Sequence, residues 1–451
     1  MKSHILREAF GETKSKAMAG GLSALFLGLI FFSFGNFGFW NIFDMRRTMQ
    51  FVLLAAWATT SLMTLRRSSS FLREPLFLYV AGGILFEAFL RGRSNDLLDG
   101  ILSMVILASI YNMRREKVRE AIKPLLMIAA IFAIVGIIQF CILWFNQDYI
   151  WTFDSFYTSD TGNAPVHLTH WVQYLGFIEP PAGTEIIIFG VRFTRLYSYA
   201  SEPSVLVYSL LAPALIALGF KNRFRWCAIP LLIFVLFLVQ SGTIYLSIVF
   251  GILSWVLLGF TKRWNDRLIA LLPFFIAVLI MIFLMRSEIT SLMAKFQNLL
   301  LPLLKFSSKL DPYRSGVDRF SSITNMFNAI KFNILGTSSA FKEVGQMGLL
   351  LYSYYYAGIL GLSLISAFLY RTFRNIFGVF RRTKGLEGLA AAMAFGMLIQ
   401  VMFFSSYGWT GTSGFIMLAF LQLCFQPRDM RPDKSTPPST IQPVSILLQD
   451  R

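Results

Sequence analysis

The sequence predicts an all-α polytopic integral membrane protein with about twelve transmembrane helices and two large extracytoplasmic loops carrying amphipathic helices. Three observations predict it. Charged residues make up only 14% of the chain, against about 25% in a soluble domain. Hydrophobic residues make up 55%, and the mean hydropathy is +0.60. Apolar runs approaching the length of a membrane span recur along the chain, and Lys and Arg gather in alternate connections between them.

The runs lie near 17–38, 49–65, 75–90, 97–113, 124–145, 204–220, 227–241, 243–260, 268–285, 346–370, 386–405 and 412–426. The first follows a basic start and is long, so it reads as a retained helix rather than a cleaved leader. The runs 227–241 and 243–260 are joined by a turn at Ser241–Gly242. With the N-terminus in the cytoplasm and strict alternation, 27 of the 41 Lys and Arg fall inside and both termini are cytoplasmic. The net charge of +17 is therefore mostly topology, and a nucleic-acid partner loses its support. Residues 1–426 read as one membrane domain. Residues 427–451, polar and proline-rich, read as a disordered cytoplasmic tail.

Two external loops stand out, about 146–203 and about 286–345. Loops of that length usually have a job. The first contains "GTEIIIFGV", a β-branched stretch that reads as a short strand, followed by Arg192, Arg195 and "SEP". Ser201 fits a helix N-cap and Pro203 the first turn. Glu202 then sits at the positive end of a helix dipole, which is an ordinary place for an acid. Arg192 and Arg195 are the only basic residues of a loop with six acids. They are either snorkelling anchors or ligands for a lipid-linked phosphate, which guanidinium groups grip bidentately.

The second loop has apolar residues at helical spacing, at Ile289, Leu292, Met293, Phe296 and Leu299, and again at Phe320, Ile323, Phe327 and Ile330. It holds eight basic residues and four acids. Attraction to lipid headgroups accounts for Lys295, Lys305 and Lys309. Arg314 and Arg319 lean towards function. In the span 75–90, Glu87 fits an ion pair with Arg91 one turn on.

Other chemistries find no motif. There is no GxxxxGK[ST], no DxD and no HExxH. Cys141, Cys227 and Cys424 lie in or beside apolar runs without disulfide or zinc spacing. His167 and His170 have the spacing of a helix face, but no third ligand stands near, so no metal is expected. Either is a reserve catalytic base, since imidazole titrates near neutrality.

Three stretches resemble the O-antigen polymerase and ligase superfamily, the Wzy-type enzymes of bacterial surface polysaccharide assembly. They are "RLYSYASEPSVLVYSLL", "FLVQSGTIYLSIVFGILSW" and "DRFSSITNMFNAIKFNILGTSSAFKEVGQMGLLLYSYYYAGILGLSL", the last with Gly336, Gly358 and Gly361. Together they span roughly the second half of the chain. Family members often carry a His-Asn pair where this chain has "GQMG", and many carry an arginine where Ser241–Gly242 stand. These departures favour a polymerase over a ligase.

The resemblance implies metal- and cofactor-independent inverting glycosyl transfer on the outer face of the inner membrane, between repeat units linked to undecaprenyl pyrophosphate. It implies Glu202 as base, with His167 or His170 in reserve. It implies Arg192, Arg195, Arg314 and Arg319 around the pyrophosphate, and Tyr197 and Tyr352 against sugar rings. Tyr199 fits the interfacial aromatic belt better. A chain-length regulator and a flippase are partners expected from the family alone. The rival class is a secondary transporter or flippase, which ordinarily shows repeats and midplane charge; neither is seen in the sequence.

Overall fold

A computed structural model describes residues 52–53, 56, 69–90, 95–112, 115–145, 152–157, 167–172, 185–188, 191–194, 203–219, 225–239, 242–261, 264–284, 348–404 and 412–426. Helices dominate. In chain order they are α1 (Pro75–Leu90), α2 (Asn95–Asn112), α3 (Arg115–Phe145), α4 (Pro203–Gly219), α5 (Arg225–Val239), α6 (Gly242–Phe260), α7 (Asp266–Leu284), α8 (Leu349–Arg382), α9 (Leu386–Phe404) and α10 (Thr412–Cys424). A 3-10 turn, Ser69–Arg73, leads into α1. Each helix coincides with an apolar run of the sequence. The runs 17–38 and 49–65, the loop 286–345 and the tail 427–451 lie essentially outside the described residues.

Two helices outrun their predicted spans. α3 begins at Arg115 rather than near 124, and α8 continues to Arg382 rather than stopping near 370. The added segments "REKVREAIK" and "RTFRNIFGVFRR" are rich in charged helix formers. Charge limits the apolar span without ending the helix. By length and composition, one described helix qualifies as a membrane span, at Leu386–Phe403. The other apolar stretches are shorter, such as Leu125–Ile138 and Ser247–Phe260.

The segment 146–203, expected to be the first external loop, departs from the all-α pattern. Instead of amphipathic helices, its described parts are two antiparallel hairpins. β1 (Thr152–Tyr157) pairs with β2 (His167–Val172), and β3 (Glu185–Ile188) with β4 (Val191–Thr194). The reason is local: alternating aromatics in "TFDSFY" and the isoleucine run favour the pleated conformation. The expected strand in "GTEIIIFGV" is β3.

α9 is the hub of the bundle, packed on α6, α8 and α4. Its small residues Ala390, Ala391, Ala392 and Ala394 are all buried, and so are Phe395, Met397, Leu398 and Val401. Small side chains let neighbouring backbones close in. A close approach is at Gly396, where any Cβ would strike the backbone of Phe250 and Gly251 in α6. One turn along, the buried Ser247 hydroxyl donates to Gln400 Oε1 across the same seam. Around the hub, α1 packs on α2 and α8, α3 on α4 and α5, α7 on α8, and α10 on α2.

At one end of the bundle the polar residues meet. Arg371 Nη1 of α8 donates to Glu74 Oε2 ahead of α1, at 2.8 Å. Gln422 Nε2 of α10 reaches the same oxygen at 3.3 Å, and Tyr111 of α2 donates to Gln422 Oε1 at 2.8 Å. Arg381 holds Asp266 of α7 at 2.8 Å. Gly219, closing α4, lies against Phe425 and Ala390. These residues flank 66–73, 114–123, 221–225, 262–267, 371–384 and the tail, which the charge count assigns to one side. At the other end, Gly348 opens α8 against the backbone of Met402 and Phe403 near the close of α9.

Candidate functional site

β4 is built from "VRFT", and its ladder sets Arg192 opposite Ile187 of β3. The strand is not detached from the bundle: β4 packs on α3. After it, the chain enters α4 at Pro203, the residue expected to open that helix. Ser201 and Glu202 immediately precede it. An arginine-bearing hairpin against one bundle helix therefore comes just before an acid at the mouth of another. Arg195, Tyr197, Tyr199 and Glu202 themselves lie outside the described residues.

His167 and His170 fall on β2, facing Tyr157 and Asp154 of β1 in the ladder. This corrects the helical spacing read from "HLTH". On a strand, positions three apart do not share a helical face. The aromatic and β-favouring stretch around them pairs as a hairpin instead. Among the described residues, no group of three or more His, Cys, Asp or Glu comes together. β1–β2 and β3–β4 form separate sheets, so the histidines and Arg192 stand on different ladders.

Tyr352 lies one turn into α8 and is half-buried, its amide donating to the Gly348 carbonyl at 2.9 Å. Arg314 and Arg319 lie outside the described residues, as do Arg91 and the side chain of Glu87, so the proposed Glu87–Arg91 pair does too.

Sequence reasoning missed a set of buried polar groups. Gln400 is fully buried, and its Nε2 has no hydrogen-bond partner. Tyr79 of α1 is also buried, and its hydroxyl sits beside Ser353 of α8. Ser353 in turn gives its proton to the Leu349 carbonyl at 2.7 Å. The available signal was a lone polar residue inside an apolar run, which is costly in hydrocarbon and so informative.

α8 also breaks. Gly358 has φ 64° and ψ −154° inside an otherwise continuous helix, and it is buried. A side chain at that φ is strained, so the break is written into the glycine. The sequence marked Gly358 and Gly361 only as part of a resemblance. Compared with known protein families, with curated proteins and with solved structures, the chain finds no match.

Proposed function

We propose that the chain is a multi-pass polymerase of bacterial surface polysaccharide, joining undecaprenyl-pyrophosphate-linked repeat units at the outer face of the inner membrane. The membrane reading draws on outward apolar faces. Met127, Ile131, Ile134 and Ile138 form an exposed stripe on α3, and Ile248, Ile252, Trp255 and Val256 form one on α6. In water such patches would associate; in a bilayer they meet lipid. The gathering at one end of connections that share a basic character supports the alternation, with both termini cytoplasmic.

The observation that carries the site is β4, with Arg192, packed on α3 just ahead of Glu202 and α4. In the reaction, an acceptor hydroxyl attacks the anomeric carbon of the donor glycan. The bond from that carbon to the pyrophosphate oxygen breaks, and undecaprenyl pyrophosphate leaves with inversion. Glu202 takes the hydroxyl proton. Arg192, Arg195, Arg314 and Arg319 receive the charge that develops on the leaving group. Tyr197 and Tyr352 offer ring faces to the sugars. Pyrophosphate is already a good leaving group, so the residues proposed here suffice without a metal or nucleotide.

The test is glycan length on a sizing gel, in a deletion strain complemented with wild type, Arg192→Ala, Arg319→Ala or Glu202→Gln at matched protein levels. Wild type restores a ladder and the variants leave single repeat units. Normal glycan length in the deletion strain itself overturns the reading. A ligase differs by acceptor: its loss leaves a lipid-linked ladder that never reaches its final carrier.

One observation favours a second reading. A helix broken near the middle of a bundle is a habit of secondary transporters. Gly358 supplies such a break. If single repeat units accumulate on the cytoplasmic leaflet in the deletion strain, transport replaces polymerisation.

A further inference from the structure

Where α1 meets α8, the bundle carries more positive charge than it balances. Arg371 of α8 gives one N–H to Glu74, at 2.8 Å. Arg374 lies one turn further along α8, and Arg73 stands next to Glu74 in the chain. Both are exposed, and neither forms an ion pair with a described residue. Three arginines thus stand at one carboxylate, with two positive charges left over. Further along α8 the charges match: Arg381 and Asp266 pair one to one.

The surroundings of this patch are apolar. The Leu78 amide bonds back to the Glu74 carbonyl at 3.1 Å, so Glu74, Leu78 and Gly82 follow one another on one face of α1. Leu78 is exposed, and a Cβ on Gly82 would meet nothing within 4 Å. On α8 the exposed residues Leu360, Ser363, Ala367, Arg371 and Arg374 share a face at the same kind of spacing. The two faces adjoin at the Glu74–Arg371 pair. Away from the arginines they make a shallow track of small and apolar side chains. The Ser363 hydroxyl is engaged by the Ile359 carbonyl at 2.7 Å, so it presents no idle donor there. On the neighbouring helix, Phe274 of α7 meets Phe373 of α8 edge to face, with centroids 6.3 Å apart. The exposed Leu271 and Phe275 therefore lie level with Arg371 and Arg374. A level that is apolar on one helix and positive on the next suits the boundary between acyl chains and headgroups.

We propose that this face binds one anionic phospholipid of the cytoplasmic leaflet, with its phosphate at Arg73, Arg371 and Arg374 and an acyl chain along Leu78, Gly82, Ser363 and Ala367. Charge complementarity selects the headgroup. Arg371 has N–H groups beyond the one on Glu74, and guanidinium groups match phosphate oxygens bidentately. Glu74 is a positioning residue: it fixes Arg371, and its own charge leaves room for one anion rather than several. A zwitterionic lipid brings its own ammonium and leaves the two charges unbalanced. The lipid site rests on the membrane reading, but not on polymerisation or transport.

Lipid titration of the purified full chain in a neutral detergent tests it, read as the melting temperature from tryptophan fluorescence. Dioleoyl phosphatidylglycerol is the probe, and dioleoyl phosphatidylcholine, with the same chains, is the comparison. The anionic lipid should raise the melting temperature and the zwitterionic one should not. Arg374→Gln and Arg73→Gln, at exposed and unpaired positions, should melt like wild type without lipid. Each should raise the half-maximal phosphatidylglycerol concentration about fivefold, the effect of one cation at a lipid surface. Lys384→Gln removes an exposed cation past the end of α8 and should titrate like wild type. Glycerol phosphate, the headgroup chemistry without chains, should leave the melting temperature unchanged. Equal shifts from the two lipids overturn the site. So does an Arg374→Gln titration identical to wild type, or a Lys384→Gln loss as large as that of Arg374→Gln, which would mean diffuse charge. Stabilisation by glycerol phosphate equal to that by the lipid would make this a soluble-anion site and overturn the phospholipid. A chain that stays dispersed once detergent is removed would overturn the membrane reading itself, before any lipid is added.

Discussion

An arginine fork and a lysine ammonium carry the same charge but do different work at a phosphate. The fork binds two oxygens at fixed geometry, while the ammonium acts as a point charge. If Arg192 grips pyrophosphate, Arg192→Lys should leave a shortened ladder while Arg192→Ala leaves single units; equal ladders from both would reduce Arg192 to an anchor. Glu74 poses the complementary problem at the opposite end. Its side chain is only 13% exposed, while that of Arg371 is 45% exposed. Solvent screening on the arginine side holds the pair to about 1 kcal/mol. Arg371→Met leaves the carboxylate with Gln422 alone, so the loss should exceed that of the pair removed together. In detergent, the melting temperature of Arg371→Met should fall by about 2–4 °C. The double variant Glu74→Gln with Arg371→Met should recover part of that loss, and a double variant melting lower than the single would contradict this account. None of these partners was legible in the sequence, because Glu74, Arg371 and Gln422 lie far apart along the chain and their types alone pair with anything.

Elements were more legible than contacts, and unevenly so. The helices announced themselves because long apolar runs in this chain leave no other use for the backbone. The hairpins were half hidden: β3 showed in its isoleucines, whereas β2 carried histidines at a spacing that imitates a helix. The break in α8 was hidden altogether, because a glycine in an apolar run marks equally a bend, a close packing point or nothing. Close packing is what Gly396 does. Its would-be methyl meets the backbone of Phe250 and Gly251, which has no rotamer to change. A methyl on Gly251 meets the Met393 side chain at Sδ and, at 2.8 Å, Cε, and methionine reorients readily. Gly396→Ala should therefore cost about 1–3 kcal/mol or prevent accumulation, and Gly251→Ala should cost clearly less. Thermal unfolding of the two purified variants ranks them; the reverse order would mean that α6 and α9 do not cross where Gly396 places them.

At the scale of the whole molecule, the charge count and the packing are independent of one another. The count uses only how Lys and Arg are spread among the connections. The packing uses only which side chains touch. Yet Glu74, Tyr111, Asp266, Arg371, Arg381 and Gln422, each beside a connection that the count puts in the cytoplasm, meet their partners at one end. Gly348 and Phe403, beside connections assigned outside, meet at the other. Alternate connections of any up-and-down bundle share an end; what a membrane adds is a reason for the connections at that end to be the basic ones. If the chain alternates across a membrane in this way, the candidate arginines fall on the outer side, and that placement decides whether the proposed chemistry is possible at all. Reporter domains that mature only in the cytoplasm or only outside it can read the sides directly. Fusions after Gly385 and after Gln426 should be active only as cytoplasmic reporters, and an insertion after Lys309 only as an external one. A Lys309 insertion that reports from the cytoplasm would place Arg314 and Arg319 on the wrong face for an extracytoplasmic transfer, and the polymerase would lose half of its proposed pyrophosphate site however well Arg192 is placed.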